Sequence, residues 1–435
     1  RLLLLTRWLG PLRQHARSRA HTRHPRPLER KRITATPVNY QEAIDWLYST
    51  QMFGIKLGLE NPTRLLRDFL AFPKHTTKVI HVAGTNGKGS TCALIDSLSR
   101  GIAVRTGLFT SPHLIDYRER VRVGGIDITE DKTAALLSEL RELVTDWEHH
   151  PTFFELSLAL AMRHFRDCDC ELVILETGMG GRLDATTAVP ADVCVLTPIA
   201  LDHTKWLGST LTEIAEEKAG IAVPKKPLLS SDQEPEARLA IERVANEAQA
   251  PLTFISDPLL GYTINLPGEH QKRNAALACE AMISCGYSLN YEIVHTALTK
   301  VQWPGRFEAI GKHLILDAAH NPHAAKALVN TWNFEFPGKK AQIIFGAVED
   351  KAVDSVLEIL APIADHFHFV PVNSVRGLSP DSYKVDTTST VYENLADALK
   401  VVNRMTLPAI LTGSLFLLGE AKGIINELET RSTSQ

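Results

Sequence analysis

From Tyr40 onward, apolar residues recur in two rhythms. Ala43, Ile44 and Leu47 share one face of a helix, as do Leu65, Leu66, Phe69 and Leu70 after Asn61-Pro62. Strand-like apolar runs follow at 79–83, 171–175 and 193–199, each leading into polar residues, and helical spacing separates them over 133–145, 155–165 and 211–219. Strand-length runs that alternate with amphipathic helices predict a parallel sheet covered on both faces. Trp303, Pro304 and Gly305 interrupt the pattern, and it restarts beyond them. The second set comprises strands at 314–316, 343–345, 367–370 and 409–411, with helices near 323–332, 351–361, 391–403 and 415–428. The chain therefore reads as α/β, with a leader over 1–38, a first domain over 39–299 and a second over 300–430.

Ligands of such sheets gather at the carboxyl ends of the strands, and the first run leads straight into a candidate. Gly84, Thr85, Asn86, Gly87, Lys88, Gly89 and Ser90 form a glycine-rich turn between the run 79–83 and an apolar helix beginning near Cys92. That order suits a triphosphate. Glycines let backbone N–H groups crowd around anionic oxygens, the helix N-terminus adds positive potential, and Lys88 neutralises the β/γ end. The spacing departs from the common Walker A pattern, because Gly84 precedes Gly87 by three residues and Gly89 separates Lys88 from Ser90. The strand–turn–helix context carries the reading, and its alternative is an ordinary glycine turn with a solvated lysine. The other two runs also end near residues able to handle a magnesium nucleotide, Glu176 and the pair Asp202-His203.

At 435 residues, with 44% hydrophobic and 22% charged positions, the chain can bury two or three cores. No apolar run approaches the roughly 20 residues of a membrane span. The charge is uneven: residues 1–38 carry +9 against a net −3, which leaves −12 on the remainder. An acidic body argues against nucleic acid as a partner. The Arg-rich leader is expected to be disordered. It is open to three readings: an organelle transit peptide, which would make the location mitochondrial, a nucleic-acid-binding arm, or an upstream extension of no structural meaning. Six cysteines, at 92, 168, 170, 194, 279 and 285, lack metal-ligand spacing and predict reduced core thiols in a cytoplasmic compartment.

The motifs form a series. The turn 84–90 is followed by Thr110-Ser111-Pro112-His113-Leu114 and by Glu176-Thr177-Gly178-Met179-Gly180-Gly181-Arg182-Leu183-Asp184-Ala185-Thr186. Leu201-Asp202-His203, Glu217-Lys218-Ala219-Gly220-Ile221, Gly268-Glu269-His270-Gln271 and Asn274 come next. Arg306-Phe307-Glu308, Asp317-Ala318-Ala319-His320-Asn321-Pro322 and Gly413-Ser414-Leu415 complete it. In this order, over about residues 40–420, the set resembles the folylpolyglutamate synthase/dihydrofolate synthase family of the Mur ligase superfamily. The resemblance implies a parallel-sheet P-loop ATPase domain followed by a smaller Rossmann-like α/β domain, with ATP and substrates in the cleft between. It implies ligation: a substrate carboxylate attacks the γ-phosphate, and the amine of L-glutamate attacks the resulting acyl phosphate. Such chemistry needs cation density, in-line geometry and exclusion of water. The segment between Pro251 and Gly268 is short, so the family's surface β region is expected to be trimmed here.

The resemblance also implies residue roles. Lys88 takes the β/γ-phosphates, with the amides of Gly84, Thr85, Asn86, Gly87, Gly89 and Ser90 around them. Ser111, Glu176 and His203 match magnesium ligands; read alone, they would be a turn serine, a strand-end carboxylate paired to Arg182, and a satisfied polar histidine. Lys218, read alone, is a cation in the last turn of the helix 211–219, complementing its dipole. The family makes it a carbamylated lysine binding a second Mg²⁺. Arg306, Asp317 and His320 match residues that reach the nucleotide across the cleft, Gln271 and Asn274 face its base or sugar, and His320 and Ser414 go with the glutamate. The loop 110–117 and Phe153-Phe154-Glu155 match the region of the pteroate pocket, where Phe154 is the candidate and one of the two phenylalanines is expected in the core.

The acid stays open between dihydropteroate, a folylglutamate, or both, with both expected. The partners implied are these small molecules alone, with no nucleic acid and no membrane, in a monomer, since the cleft lies within one chain. Two further readings stand beside this one. A Mur ligase acting on a UDP-muramoyl peptide would carry a dedicated N-terminal domain of ~100 residues, where about 40 precede the first core helix. A catalytically inactive P-loop nucleotide-binding module would have no need of Ser111, Glu176, His203 and Lys218 as a set.

Overall fold

Two mostly parallel sheets organise the described residues, which in this computed structural model are 38–54, 58–311, 313–349 and 352–433. The readings of the leader therefore lie outside the described residues. The first sheet is built from β1 (Lys78–Ala83), β2 (Thr106–Phe109), β3 (Val121–Val123), β4 (Ile126–Asp127), β5 (Leu172–Glu176), β6 (Val193–Leu196), β7 (Leu228–Ser231) and β8 (Leu252–Ile255). Their order is β4-β3-β2-β5-β1-β6-β7-β8, parallel except for the antiparallel β3 and β4.

The continuous apolar runs follow from burial of both faces. In β1, Val79 and Ala83 enter one core and Ile80 and Val82 the other; Val173 and Leu175 alternate in the same way with Leu172 and Ile174. Each such buried aliphatic side chain contributes about 1.5–3 kcal/mol of burial. Helices Tyr40–Ser49, Glu60–Asp68, Glu130–Val144 and Phe153–Asp167 cover the first face. Helices Lys88–Gly101, Glu269–Ser284 and Tyr291–Lys300 cover the second. The run at 193–199 is shorter as a strand than expected, because after Leu196 the backbone turns into the site. Thr106–Phe109, Leu228–Ser231 and Leu252–Ile255 join the sheet without having announced themselves as long apolar runs.

The second sheet holds β9 (Glu308–Ile310), β10 (Leu314–Leu316), β11 (Ala341–Phe345), β12 (Ala364–Phe369), β13 (Ser389–Val391) and β14 (Ala409–Thr412). The order is β13-β12-β11-β14-β10-β9, with only β9 antiparallel. Its four inner strands are those expected from the sequence. The two edges, β9 and the exposed β13, are additions, and β13 occupies the start of what was expected to be a helix over 391–403; the helix itself runs Leu395–Val402. Five of the six cysteines are buried and none is disulfide-bonded. Among the described residues, no helix is long and apolar enough to cross a membrane.

Candidate active site

The carboxyl ends of the two sheets border one cleft of about 920 Å³. The turn 84–90 leaves β1 and feeds the helix Lys88–Gly101, whose N-cap is Gly87. Gly87 has φ +89, a conformation open to glycine at little cost. Gly89 answers to a different constraint: a Cβ there would stand 2.7 Å from Nε1 of Trp303, whose indole packs against the loop. The sequence reading saw Trp303 only as part of a linker. Lys88 curls back so that its ammonium donates to the carbonyls of Gly84 (3.2 Å) and Thr85 (3.3 Å).

Lys218 reaches the same place from another element. It is 3% exposed, and its Nζ donates to the Gly84 carbonyl at 2.9 Å. The C-capping reading fails, since the amine points into the phosphate loop. Burial, followed by repulsion from Lys88, pushes its pKa down to about 7, while Asp202 and Asp184 pull the other way. Glu176 ends β5, 5% exposed, and its Oε2 accepts the Ser111 amide at 3.0 Å. Burial raises its pKa, against the opposing pull of Lys88, the Ser111 N–H, Arg306 and Arg120. The expected alternative, a pair with Arg182, is not formed, because Arg182 pairs with Glu217. His203 follows β6 in the left-handed region (φ +52) as N-cap of the short helix Thr204–Leu207. Ser111, Glu176, His203 and Lys218 all line the cleft beside the loop.

Beside the loop, on the helix Glu269–Ser284, Asn274 lies against Gly87 and donates to Gln271 Oε1 at 2.9 Å, while Gln271 approaches Ser90 Oγ at 3.4 Å. His270, adjacent to them, has its pKa lowered to about 4 by burial, with Arg306 and His323 adding repulsion. From the second sheet, Arg306 donates to its neighbouring Gly305 carbonyl (3.0 Å). Asp317 accepts from the Phe307 and Ala319 amides, both at 2.9 Å, so it is a turn-forming carboxylate as well as a cleft residue. Ser414 caps the helix Leu415–Thr433 through the Phe416 amide (3.2 Å) and also lines the cleft.

The two sheets meet through the turn after β10. His320 Nδ1 lies 2.8 Å from the Ala318 carbonyl and its Nε2 lies 3.3 Å from Asp202 Oδ2. Asn321 donates to the same Asp202 oxygen (3.2 Å) and exchanges amide contacts with Asn86 at 3.1 Å in both directions. His323 adds a contact to Asn86 at 3.0 Å. Asp202 thus joins His320 to the loop that carries His203, a role that its position within a motif did not reveal.

Phe153 and Phe154 point in different directions, as expected. Phe153 stacks on Tyr48 (5.4 Å), meets Tyr117 edge-on (6.1 Å) and lies under the Arg120 guanidinium (5.1 Å). Phe154 packs on Phe109 (5.6 Å) beneath the Gly178 turn, set back from the cleft residues. Arg120 is itself buried and donates to His113 Nδ1 at 2.7 Å, which makes this corner an aromatic box with one buried cation.

The architecture and cleft define a Mur-type ligase. The Mur ligase middle domain matches residues 82–227, and the Mur ligase glutamate ligase domain matches 305–411. The dihydrofolate synthase/folylpolyglutamate synthase of Bacillus subtilis is 32% identical over 426 residues, covering 88% of this chain and 98% of that one. The structure of Escherichia coli FolC in complex with DHPP and ADP aligns with a TM-score of 0.81 at 29% identity, covering 91% of this chain and 99% of that chain. A bifunctional folylpolyglutamate synthase/dihydrofolate synthase with Mn, AMPPNP and L-glutamate bound aligns with a TM-score of 0.80 at 29% identity, over 90% and 100%. The chain belongs to the dihydrofolate synthase/folylpolyglutamate synthase family.

Proposed function

We propose that the chain is an ATP-dependent amide ligase that joins L-glutamate to the carboxylate of a pteroate-type acid through an acyl phosphate. The observation that carries this reading is the convergence of Lys88 and Lys218 on one carbonyl, Gly84, beside Glu176 and opposite His320. Lys88 supplies cation density on a glycine-rich loop, where a carboxylate and a triphosphate must be brought together, and Lys218 brings a second amine to the same carbonyl. The amides of 84–90 hold the phosphates, Gln271 and Asn274 face the nucleoside, and Arg306 and Asp317 approach it from the second sheet. His320 and Ser414 hold the glutamate, and the pterin side is assigned to the aromatic corner around Phe153, with Phe154 contributing through its packing on Phe109 and the Gly178 turn. The division into a nucleotide domain over 39–299 and a glutamate-ligase domain over 300–430 goes with this reading.

The residues fit a divalent ion. Glu176 accepts the Ser111 amide through Oε2 and keeps its other oxygen without a hydrogen bond among the described residues, and Ser111 and His203 line the same cleft. When bound there, Mg²⁺ neutralises phosphate charge. Lys218 is suited to carbamylation, in which its neutral amine adds to CO₂ and releases a proton, because an amine with a pKa lowered to about 7 is about half deprotonated at neutral pH, where an ordinary lysine is almost wholly charged. The resulting carboxylate turns a repelling ammonium into a ligand for a second ion. Unpaired core thiols support a reducing, cytoplasmic setting, and a cleft contained in one chain supports a monomer.

Both activities, dihydrofolate synthesis and glutamate-tail extension, are assigned to this one site. The test is phosphate release from Mg-ATP that depends on both glutamate and acid, with 7,8-dihydropteroate and a reduced folate offered in parallel. Release with both acids is expected. Release with one narrows the assignment to that acid, and release with neither from folded, ATP-binding protein defeats the ligase reading.

A further inference from the structure

At the end of the cleft away from the phosphate loop, the turn after β12 brings in Arg376. Its backbone is held from several sides. The Arg376 carbonyl accepts from the Glu349 amide (2.8 Å), Leu378 donates to the Ala347 carbonyl (3.0 Å), and Gly377 donates to the Ser374 carbonyl (2.8 Å). Val348 and Gly377 also form an isolated antiparallel bridge. The mount is fixed, yet the side chain is exposed and its guanidinium forms no ion pair with a described residue. Arg118, Arg122, Arg163 and Arg182, by contrast, each pair with a carboxylate. A planar fork, rigidly mounted and uncommitted at the rim of a cleft, matches the geometry of an incoming carboxylate.

The sheet order says which carboxylate. Strands β12, β11, β14 and β10 are neighbours in that sequence, and parallel strands lie about 4.8 Å apart. Arg376 therefore approaches along the sheet edge from the side opposite His320, past Ser414 on the β14 exit. The α-amine of an incoming amino acid must sit at the acyl phosphate, between the phosphate loop and His320, and its α-carboxylate is tied to the same carbon. Its side-chain carboxylate is the group free to extend along the edge. We propose that Arg376 is a specificity-determining residue that binds the side-chain carboxylate of the incoming glutamate.

This inference rests on the ligase reading, so wild-type turnover is measured first; no glutamate-dependent phosphate release there would defeat that reading and not this one. With wild type active, Arg376→Ala and Arg376→Lys are compared using glutamate and glutamine as the amine, at saturating ATP and dihydropteroate. Loss of a bidentate charged contact predicts a rise of about 30-fold or more in the KM for glutamate. The kcat and the KM values for ATP and dihydropteroate stay within about threefold, and Arg376→Lys recovers part of the loss. Selectivity for glutamate over glutamine falls by the same factor as glutamate KM rises. An unchanged glutamate KM, an equal loss with glutamine, or an effect confined to dihydropteroate would each overturn the assignment.

Discussion

The two sheet edges that border the cleft handle charge in opposite ways. At the first edge, Lys218 and Glu176 are almost fully buried and neither has an ion-pair partner among the described residues; burial chiefly shifts their pKa values in the direction that favours the neutral form. At the second edge, Asp317 is bound by two amides, His320 by a carbonyl and Asp202, and Arg376 stands in solvent. Buried charge without a counter-charge costs stability, so the first edge is strained toward a polyanion and its metal. The second edge is a set of satisfied turns that presents side chains to a smaller, diffusible substrate. Binding and activation of the phosphates belong to the first, and selection of the amine to the second.

The comparison breaks most decisively at Lys218. Lys218→Ala is expected to lower turnover about a thousandfold or more, the scale of removing a central electrostatic group, while ATP affinity, measured by titration, changes little. Lys218→Met fills the space without the charge, and its thermal midpoint should equal or exceed that of wild type, because a desolvated ammonium has been removed. Retained turnover in either variant would dismiss Lys218 from the site. A clear loss of stability in Lys218→Met would mean that the amine holds the loop together through Gly84, and the first edge would then resemble the second.

A smaller effect is expected at Gly89, where the loop meets Trp303. The Cβ of Gly89→Ala would lie 2.7 Å from the indole nitrogen and 3.1 Å from two of its ring carbons. Overpacking of this kind costs about 1–2 kcal/mol, which predicts a KM for ATP raised about tenfold. In the double variant Gly89→Ala/Trp303→Ala the space is restored, so the two changes together should do less harm than their sum. Additive losses would show that Trp303 does not shape the loop.

Trp303 also marks the limit of what the chain revealed before folding. The loop 84–90 was legible because its strand, glycines, lysine and helix are consecutive, so local rules suffice. Strands β1, β5 and β6 and the four inner strands of the second sheet were legible because burial on both faces leaves a largely apolar run, whereas the four-residue inner strands β2 and β7 did not stand out. What stayed hidden depends on distant segments: Trp303 reaches Gly89 from 214 positions away, and Asp202 meets His320 from 118 away. Lys218 read alone is misleading for the same reason. Its place in a last helical turn fits a capping cation, and only the loop brought against it shows where the amine goes. Short edge strands such as β9 and β13 carry too few residues to establish a period.

His81 provides the finest test, because it is a buried titratable group behind the first edge that does no chemistry there. It lies in β1, 1% exposed, and Nε2 is 2.7 Å from Thr186 Oγ1, which in turn meets Asp184. Burial alone pushes its pKa down to about 3. The unfolded chain, with a histidine pKa of about 6.5, takes up a proton that the fold refuses, so stability falls as pH drops from about 6.5 toward 3. For this one group the loss between pH 7 and pH 5 is about 2 kcal/mol. His81→Gln keeps an N–H for Thr186 and removes the titration. Urea unfolding at the two pH values should show wild type losing about 2 kcal/mol more than the variant, while the KM for ATP at pH 7 is the same in both. The other histidines with depressed values, His113, His164, His270, His323 and His368, contribute equally to the two proteins and cancel. An identical acid slope in both would mean that the fold admits a proton at His81, and burial at this edge would no longer separate the groups that serve the reaction from the one that serves the core.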